Sequence, residues 1–346
     1  MPMRYPLGTS AATVTSAPLL LVDVEMQEGV IGRSYLFCYR KSGAKAIAAI
    51  LDEAVELVAG RAASPVDISA YLARRYALLG VTGTVRMALA ALDIATWDAI
   101  AVAANVPLAT LLGSDLNPVR AYNSDGLGLM PAADAANEAK LLLEAGFDAV
   151  KLRLGHQDSA KDLEVARAVR RAVPESTAVM VDYNQCLTVP ETIRRADQLS
   201  DLDIYWIEEP IRHSDLRGCA SIARELRVPV QLGENLDGPE AVSDAVAVEA
   251  SDYLMLDVAR IGGVTGWLRA AGIASARGIP VSSHLMPEIS VHLLAATANR
   301  HWLEYVSWAD SILEEPMIVS NGFATPPNRP GLGLNWRKDV GRFEVV

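Results

Sequence analysis

Basic residues are the minority in this chain: 31 Lys and Arg stand against 42 Asp and Glu in 346 residues, a formal net charge of −11. Neutralising nucleic-acid phosphates takes clustered Lys and Arg, so this balance excludes a nucleic-acid partner. Cysteine is scarce. Cys38, Cys186 and Cys219 are far apart, odd in number and free of any CxxC or Cys/His spacing, which excludes a disulfide framework and a structural zinc site. Long apolar runs are missing too. The most apolar segment, Met87 to Leu112, is interrupted by Asp93, Asp98, Asn105 and Pro107, so it reads as a buried amphipathic helix rather than a membrane span. PLLLVDV (18–24) is too short for a secretion signal and has no charged flank before it. No Gly-rich phosphate loop, GxGxxG element or serine-nucleophile motif occurs. These absences lead us to expect a soluble, cytoplasmic protein with no nucleic acid and no membrane among its partners.

What is present is a stride. Asp182, Glu208, Glu234, Asp257, His284 and Glu304 follow one another at gaps of 26, 26, 23, 27 and 20 residues. Each closes a short apolar, β-branched run: AVMVD, YWIE, PVQLGE, YLMLD, IPVSSH and HWLE. That spacing is about one strand, one helix and two short loops, so polar groups at the same point of successive units converge on one face of a barrel.

The whole stretch from Val119 alternates in this way. Strands are expected at 119–124, 149–153, 178–182, 204–208, 230–234, 253–257, 279–283 and 301–304. Amphipathic helices are expected between them at 132–145, 159–173, 190–200, 214–226, 238–250, 263–277 and 288–299. Eight strands and seven helices make an α/β fold of the (β/α)7β type, a modified TIM barrel. Residues 1–115 read as an α+β capping domain, with strands at 18–26 and 31–39 and helices at 44–59, 67–76 and 84–103. Residues 116–310 form the barrel, and the Pro- and Gly-rich segment 311–346 returns to the cap.

Asp182, Glu208 and Glu234 end strands three, four and five without an intervening cation. Carboxylates that converge in this way either raise a pKa or require a cation, and an all-oxygen set suits Mg²⁺. Asn184 is placed to hydrogen-bond a ligand or substrate oxygen. Asp257 and His284 end adjacent strands, and a carboxylate beside an imidazole makes a general base. Lys151 and Arg153 share one face of strand two, either facing the substrate or balancing the carboxylates. Glu304 is an acid for developing negative charge if its pKa is raised, or else a rim salt bridge. Together these groups describe α-proton abstraction from a small carboxylate substrate.

The stretches VDYNQ (181–185), WIEEP (206–210), GEN (233–235), IGGVTGW (261–267), SSHL (282–285), EIS (288–290) and HLLAAT (292–297) carry a resemblance. Through them the chain resembles the enolase superfamily, mandelate racemase subgroup, along almost its whole length. The resemblance implies Mg²⁺ held by Asp182, Glu208 and Glu234, a His284–Asp257 dyad and Glu304 as electrophilic acid. It also implies Lys151 and Ser124 at the substrate, and a homo-oligomer, commonly an octamer. One departure stands out. The subgroup's second strand-two base is a lysine, and here it is Arg153, a poor proton acceptor at any ordinary pH. Racemisation or epimerisation of a 2-hydroxy acid is the reaction the similarity implies, and it is the one expected first, because the substrate-proximal segments follow the subgroup's racemases. Dehydration of a hydroxy or sugar acid to a 2-keto acid, with His284 as sole base, is the reaction the substitution favours. A decayed metal-binding scaffold is the non-enzymatic reading. Leu7, Ala11, Val14 and Tyr39 are expected to form a partly apolar lid that suits an aromatic or aliphatic acid.

Overall fold

A computed structural model of the chain describes residues 1–10 and 12–343; Ala11, one of the expected lid residues, lies outside them, as do residues 344–346 of the C-terminal segment. The chain opens with an antiparallel hairpin of β1 (Pro2–Gly8) and β2 (Thr13–Ser16), followed by a second of β3 (Leu19–Glu25) and β4 (Ile31–Phe37). The first hairpin has no counterpart in the sequence expectations, because β1 carries two prolines and β2 is a four-residue run of Thr, Val, Thr and Ser. Its Gly8 carbonyl accepts from Leu129 N at 2.9 Å, which lays it over a barrel loop.

Helices α1 (Lys41–Val58), α2 (Pro65–Arg75), α3 (Gly83–Ala103) and the single turn α4 (Leu108–Leu111) complete this region. The helix expected at 84–103 is buried, as expected, and on nearly all sides rather than on one face. One side of α3 packs on β4, where Gly32 comes so close that a Cβ would lie 2.0 Å from the Ala95 carbonyl. The other side faces the barrel. The helix's acids are inside: Asp93 accepts from Thr265 N at 2.9 Å and Oγ1 at 2.6 Å, and Asp98 from Arg33 N at 2.7 Å and Leu332 N at 2.5 Å. Buried polar groups are tolerated when paired in this way, and here they tie three parts of the chain together.

The barrel strands are β5 (Val119–Asn123), β6 (Ala149–Arg153), β7 (Ala178–Asp182), β8 (Ile204–Glu208), β9 (Val230–Leu232), β10 (Tyr253–Asp257), β11 (Val281–His284) and β12 (Trp302–Tyr305). The intervening helices are α5 (Ala132–Glu144), α6 (Ser159–Ala172), α7 (Val189–Gln198), α8 (Leu216–Glu225), α9 (Pro239–Ala247), α10 (Gly263–Ser275) and α11 (Pro287–Ala295). The strands are parallel neighbours from β5 to β11, and β12 pairs with β5. His301 N bonds the Val281 carbonyl at 2.7 Å, which brings β11 beside β12 and closes the ring. The (β/α)7β barrel expected from the stride is therefore present. An unforeseen two-residue hairpin, β13 (Val319–Ser320) and β14 (Phe323–Ala324), covers the lower edge of β5. From there the chain runs to the cap, where Leu334 O accepts from Arg33 Nη1 and Asp23 Oδ1 from Trp336 Nε1.

Alternation along the strands sorts the side chains. Val150, Leu152, Val179, Val181 and Ile207 point outward under the helices. Tyr122, Ala149, Met180, Trp206, Met255 and Trp302 fill the barrel floor, with Tyr122 and Trp206 edge to face at 5.5 Å. Two residues further along each strand comes the layer of charge. Among the described residues no helix is long and apolar enough to cross a membrane, and the three cysteines are free.

Candidate active site

Register levels the charged layer. Arg153 lies opposite Asp182, Asp182 opposite Glu208, and Asp257 opposite His284 across adjacent parallel strands. The strand bearing Glu234 is shorter than expected: β9 stops at Leu232, and Glu234 sits in the turn beyond it. Gly233 makes that possible. Its φ is 137°, and a Cβ there would meet the Met255 carbonyl at 2.4 Å. Gly233→Ala is expected to lower stability by about 1–3 kcal/mol through backbone strain and overlap, read as a fall in Tm; an unchanged Tm would show that the turn tolerates a side chain. Non-glycine residues just past three of the strands also adopt positive φ: Asn184 (44°), Gln185 (64°), Glu209 (34°), Leu285 (50°) and Met286 (44°). Such strain persists where the surrounding structure holds it, and it clusters at sites that need exact side-chain placement.

Asp182, Glu208 and Glu234 each bring a carboxylate oxygen to within 4.8 Å of the others. Asn184, expected to hydrogen-bond a ligand or substrate oxygen, is bonded here to Asp182. Its backbone N and Nδ2 donate to Asp182 at 2.7 and 2.9 Å, orienting that carboxylate, while its buried Oδ1 has no partner. Trp206 Nε1 rises from the floor to Glu208 at 3.1 Å. Lys151 Nζ lies 2.7 Å from both Glu208 and Glu304 and 3.8 Å from Asp182. One ammonium cannot neutralise three carboxylates. Burial, with Asp182 and Glu234 as neighbours, pushes Glu208 up to about 8 despite Lys151, and Asp182 is raised as well. Glu304 goes the other way. Burial works to raise it, but Lys151 and His284 outweigh burial and hold it well below the usual carboxylate range. Its Oε1 accepts from Ser124 Oγ at 2.7 Å, and its Oε2 from Leu285 N at 2.8 Å. Of the two expected readings of Glu304, proton-bearing acid or salt bridge, these contacts favour the ion-paired one.

On the opposite side His284 Nδ1 is 2.6 Å from Asp257 Oδ2, whose other oxygen accepts from Ala259 N and Arg260 N. The free Nε2 faces Glu234 at 3.3 Å. Burial disfavours the imidazolium, but Glu234 and the Asp257 hydrogen bond more than compensate, raising the ring to about 9. Arg153 is clamped. Its Nη1 donates to the carbonyls of Ser124 (2.8 Å) and Gly126 (3.0 Å), and its Nη2 to Ser124 Oγ at 2.7 Å. Five carboxyl groups, Asp182, Glu208, Glu234, Asp257 and Glu304, meet the cations Lys151 and Arg153 and the His284 imidazole in one network. Three hard oxygen donors that converge, with Asp182 and Glu208 holding protons above their usual range, fit a divalent cation of the Mg²⁺ type.

Two residues at this site, Glu209 and Arg260, escaped the sequence reading. Glu209 is buried beside the cluster, accepts from Asn235 Nδ2 at 2.8 Å and is raised well above the usual range by burial and by Glu234. The second acid of WIEEP was its only signal. Arg260 and Tyr39 meet at the mouth, with Arg260 Cζ 5.0 Å from the Tyr39 ring centroid. No periodicity marks Arg260, whereas Tyr39 was expected in the lid. His156 is held by Asp162 at 2.7 Å and His213 by Gln185 at 2.9 Å, while His301 lies at the floor against Tyr205.

Residues 1–113 match the mandelate racemase / muconate lactonizing enzyme N-terminal domain, and residues 134–340 match the enolase C-terminal domain-like family. A magnesium-bound structure of an enolase from alpha pretobacterium bal199 superposes at TM-score 0.97, with 42% identity over 100% of this chain and 96% of that one. An enolase from Bradyrhizobium, complexed with magnesium and mandelic acid, does so at TM-score 0.94, with 38% identity over 99% and 94%. An L-talarate/galactarate dehydratase from Salmonella typhimurium is 28% identical over 95% of this chain and 83% of its own. Cycloisomerases and racemases stand beside it among the curated relatives. The chain belongs to the enolase superfamily, in its mandelate racemase subgroup, whose members work with Mg²⁺.

Proposed function

We propose that this chain is a Mg²⁺-dependent dehydratase that converts a polyhydroxy 2-hydroxy acid to a 2-keto acid, with His284 as the base. One observation carries the choice of reaction: a single dyad faces a clamped arginine. Racemisation needs a proton acceptor on each face of the α-carbon. Arg153 spends its Nη atoms on three oxygens, and a guanidinium does not give up its proton at ordinary pH. The racemisation that the similarity implies therefore yields to the one-base reaction, which the Salmonella dehydratase also supports.

Asp182, Glu208 and Glu234 would hold Mg²⁺, which supplies a Lewis acid for the substrate's carboxylate. Lys151, fixed between Glu208 and Glu304, is the donor to that carboxylate, and Ser124 lines the same side through its bonds to Arg153 and Glu304. His284 Nε2, oriented by Asp257, takes the α-proton. The electron pair left at the α-carbon forms the double bond to the β-carbon as the β-hydroxyl departs. The same imidazolium gives the proton to that hydroxyl, so one water leaves and the enol tautomerises to the 2-keto acid. Glu304 acts as the fixed anion that positions Lys151 and Ser124.

Incubating the Mg²⁺-loaded protein in D2O with a panel of 2-hydroxy acids tests this directly. Keto-acid formation is the expected result. Inversion of configuration without keto acid establishes a racemase instead, a reading that the mandelic acid held by the Bradyrhizobium structure favours. No α-proton exchange with any acid points to a metal-binding scaffold. Arg153→Lys is expected to lower keto-acid formation at least tenfold, because a lysine cannot reproduce the three-way clamp; a new inversion activity in that variant would show that the arginine alone withholds racemisation.

A further inference from the structure

Helix α11 and the C-terminal segment enclose a cavity of about 200 Å³, and none of the residues placed at the active site lines it. Its inner wall is Glu288, in the first turn of α11 and four residues past His284. His284 faces its partners inside the barrel, whereas Glu288 meets the cap, where the Tyr35 hydroxyl of β4 donates to its Oε2. Leu313, Met317, Pro327, Leu332 and Leu334 form apolar walls. Glu315 and Arg329, paired with each other, stand at the more exposed rim.

Glu288 has an oxygen to spare. The residue is 6% exposed, and its Oε1 is buried without a hydrogen-bond partner. Burial pushes the carboxyl up to about 7, although the Tyr35 hydrogen bond favours its charge. A purely structural role accounts for Tyr35 and for one oxygen alone. Water fills such a space poorly. The volume has room for roughly six water-sized groups, each needing two to four polar partners, and the five apolar wall residues offer none from their side chains.

Charge selects the sign of the occupant. Glu288 and Glu315 line the cavity against one arginine, Arg329, which is already paired with Glu315. Asp310 adds a further carboxyl within electrostatic reach of Glu288. An anion would meet two acids and a spent guanidinium. A cation with N–H donors satisfies Oε1 and removes the cost of burying it unpaired. The apolar walls suit a short hydrocarbon body rather than a hydrated metal ion.

We propose that this cavity is a second binding site, for a small aliphatic ammonium ion of about four or five carbons whose head sits on Glu288 Oε1. The site is independent of the reaction assigned above, because the two share no residue.

The test is calorimetry on the full-length, Mg²⁺-loaded protein at pH 8, where both Glu288 and the amine are charged. Isobutylammonium and isopentylammonium are the probes. Isopentyl alcohol, 4-methylpentanoate and potassium chloride control for shape and for charge. At least one ammonium is expected to bind with a Kd of about 1 mM or lower, and at least tenfold more tightly than any control, the worth of one charge-assisted pair. Glu288→Gln keeps an acceptor for Tyr35 but removes the charge, and is expected to weaken ammonium binding at least tenfold. Met317→Trp leaves Glu288 in place and fills the cavity from its half-buried wall, and is expected to abolish binding. Unchanged Mg²⁺ affinity in both variants shows that the fold and the carboxylate cage are intact. No ammonium binding below about 10 mM, a control bound as tightly as the ammonium, or full ammonium binding in either folded variant overturns the proposal.

Discussion

His284→Asn is expected to lower α-proton exchange by about three to four orders of magnitude, within the range that a positioned general base contributes. The imidazole has an orienting carboxylate on Nδ1 at 2.6 Å and an Nε2 that faces the proposed metal ligand Glu234 at 3.3 Å. Asp257→Asn is expected to lose less, because the ring keeps its place but not the preferred tautomer. Single-turnover exchange in D2O measures both, and calorimetric titration with Mg²⁺ checks that the cage still binds. If His284→Asn keeps more than a tenth of the wild-type rate, another residue is the base.

Magnesium is expected to stabilise the protein, and to do so more at pH 8.5 than at pH 6. The sign follows from the raised groups. Glu208 moves from 4.5 to about 8, and His284 from 6.5 to about 9. The metal-free folded state therefore holds protons that the unfolded chain has released. For both groups the stabilisation is full below the unfolded value and is lost as pH rises through the folded one, so the metal-free protein weakens between about pH 4.5 and 9. A divalent cation on the three carboxylates competes with those protons and meets less competition as pH rises. At a hundredfold excess over Kd it contributes about 2.7 kcal/mol. Thermal unfolding with Mg²⁺ and with chelator, at both pH values, measures the difference. A gain at pH 6 equal to or larger than that at pH 8.5 would mean that the cluster is already ionised without metal. Glu208→Gln is expected to remove most of the gain.

Much of this was legible in order along the chain. Strand and helix positions agree with the periodicity to within a few residues, because each barrel unit repeats the same burial pattern and period-two alternation survives in AVMVD and YLMLD. Elements without that pattern escaped: the β1–β2 hairpin and the short β13–β14 pair. The inward layer at 257 and 284 was readable because adjacent parallel strands carry it in register. The state of Glu304 was not, because it depends on Lys151 and His284 approaching from other strands.

The sequence by itself determined the barrel, the carboxylate stride and the dyad, since each is written in local spacing and residue type, and the resemblance added the departure at Arg153. Only the tertiary structure decided that Arg153 is clamped, that Glu304 is ion-paired and that Glu288, bonded to Tyr35, keeps an unspent oxygen. These are properties of contacts between segments more than a hundred residues apart or on different strands. Charge in a low-dielectric interior is governed by such neighbours rather than by the residue's own chemistry.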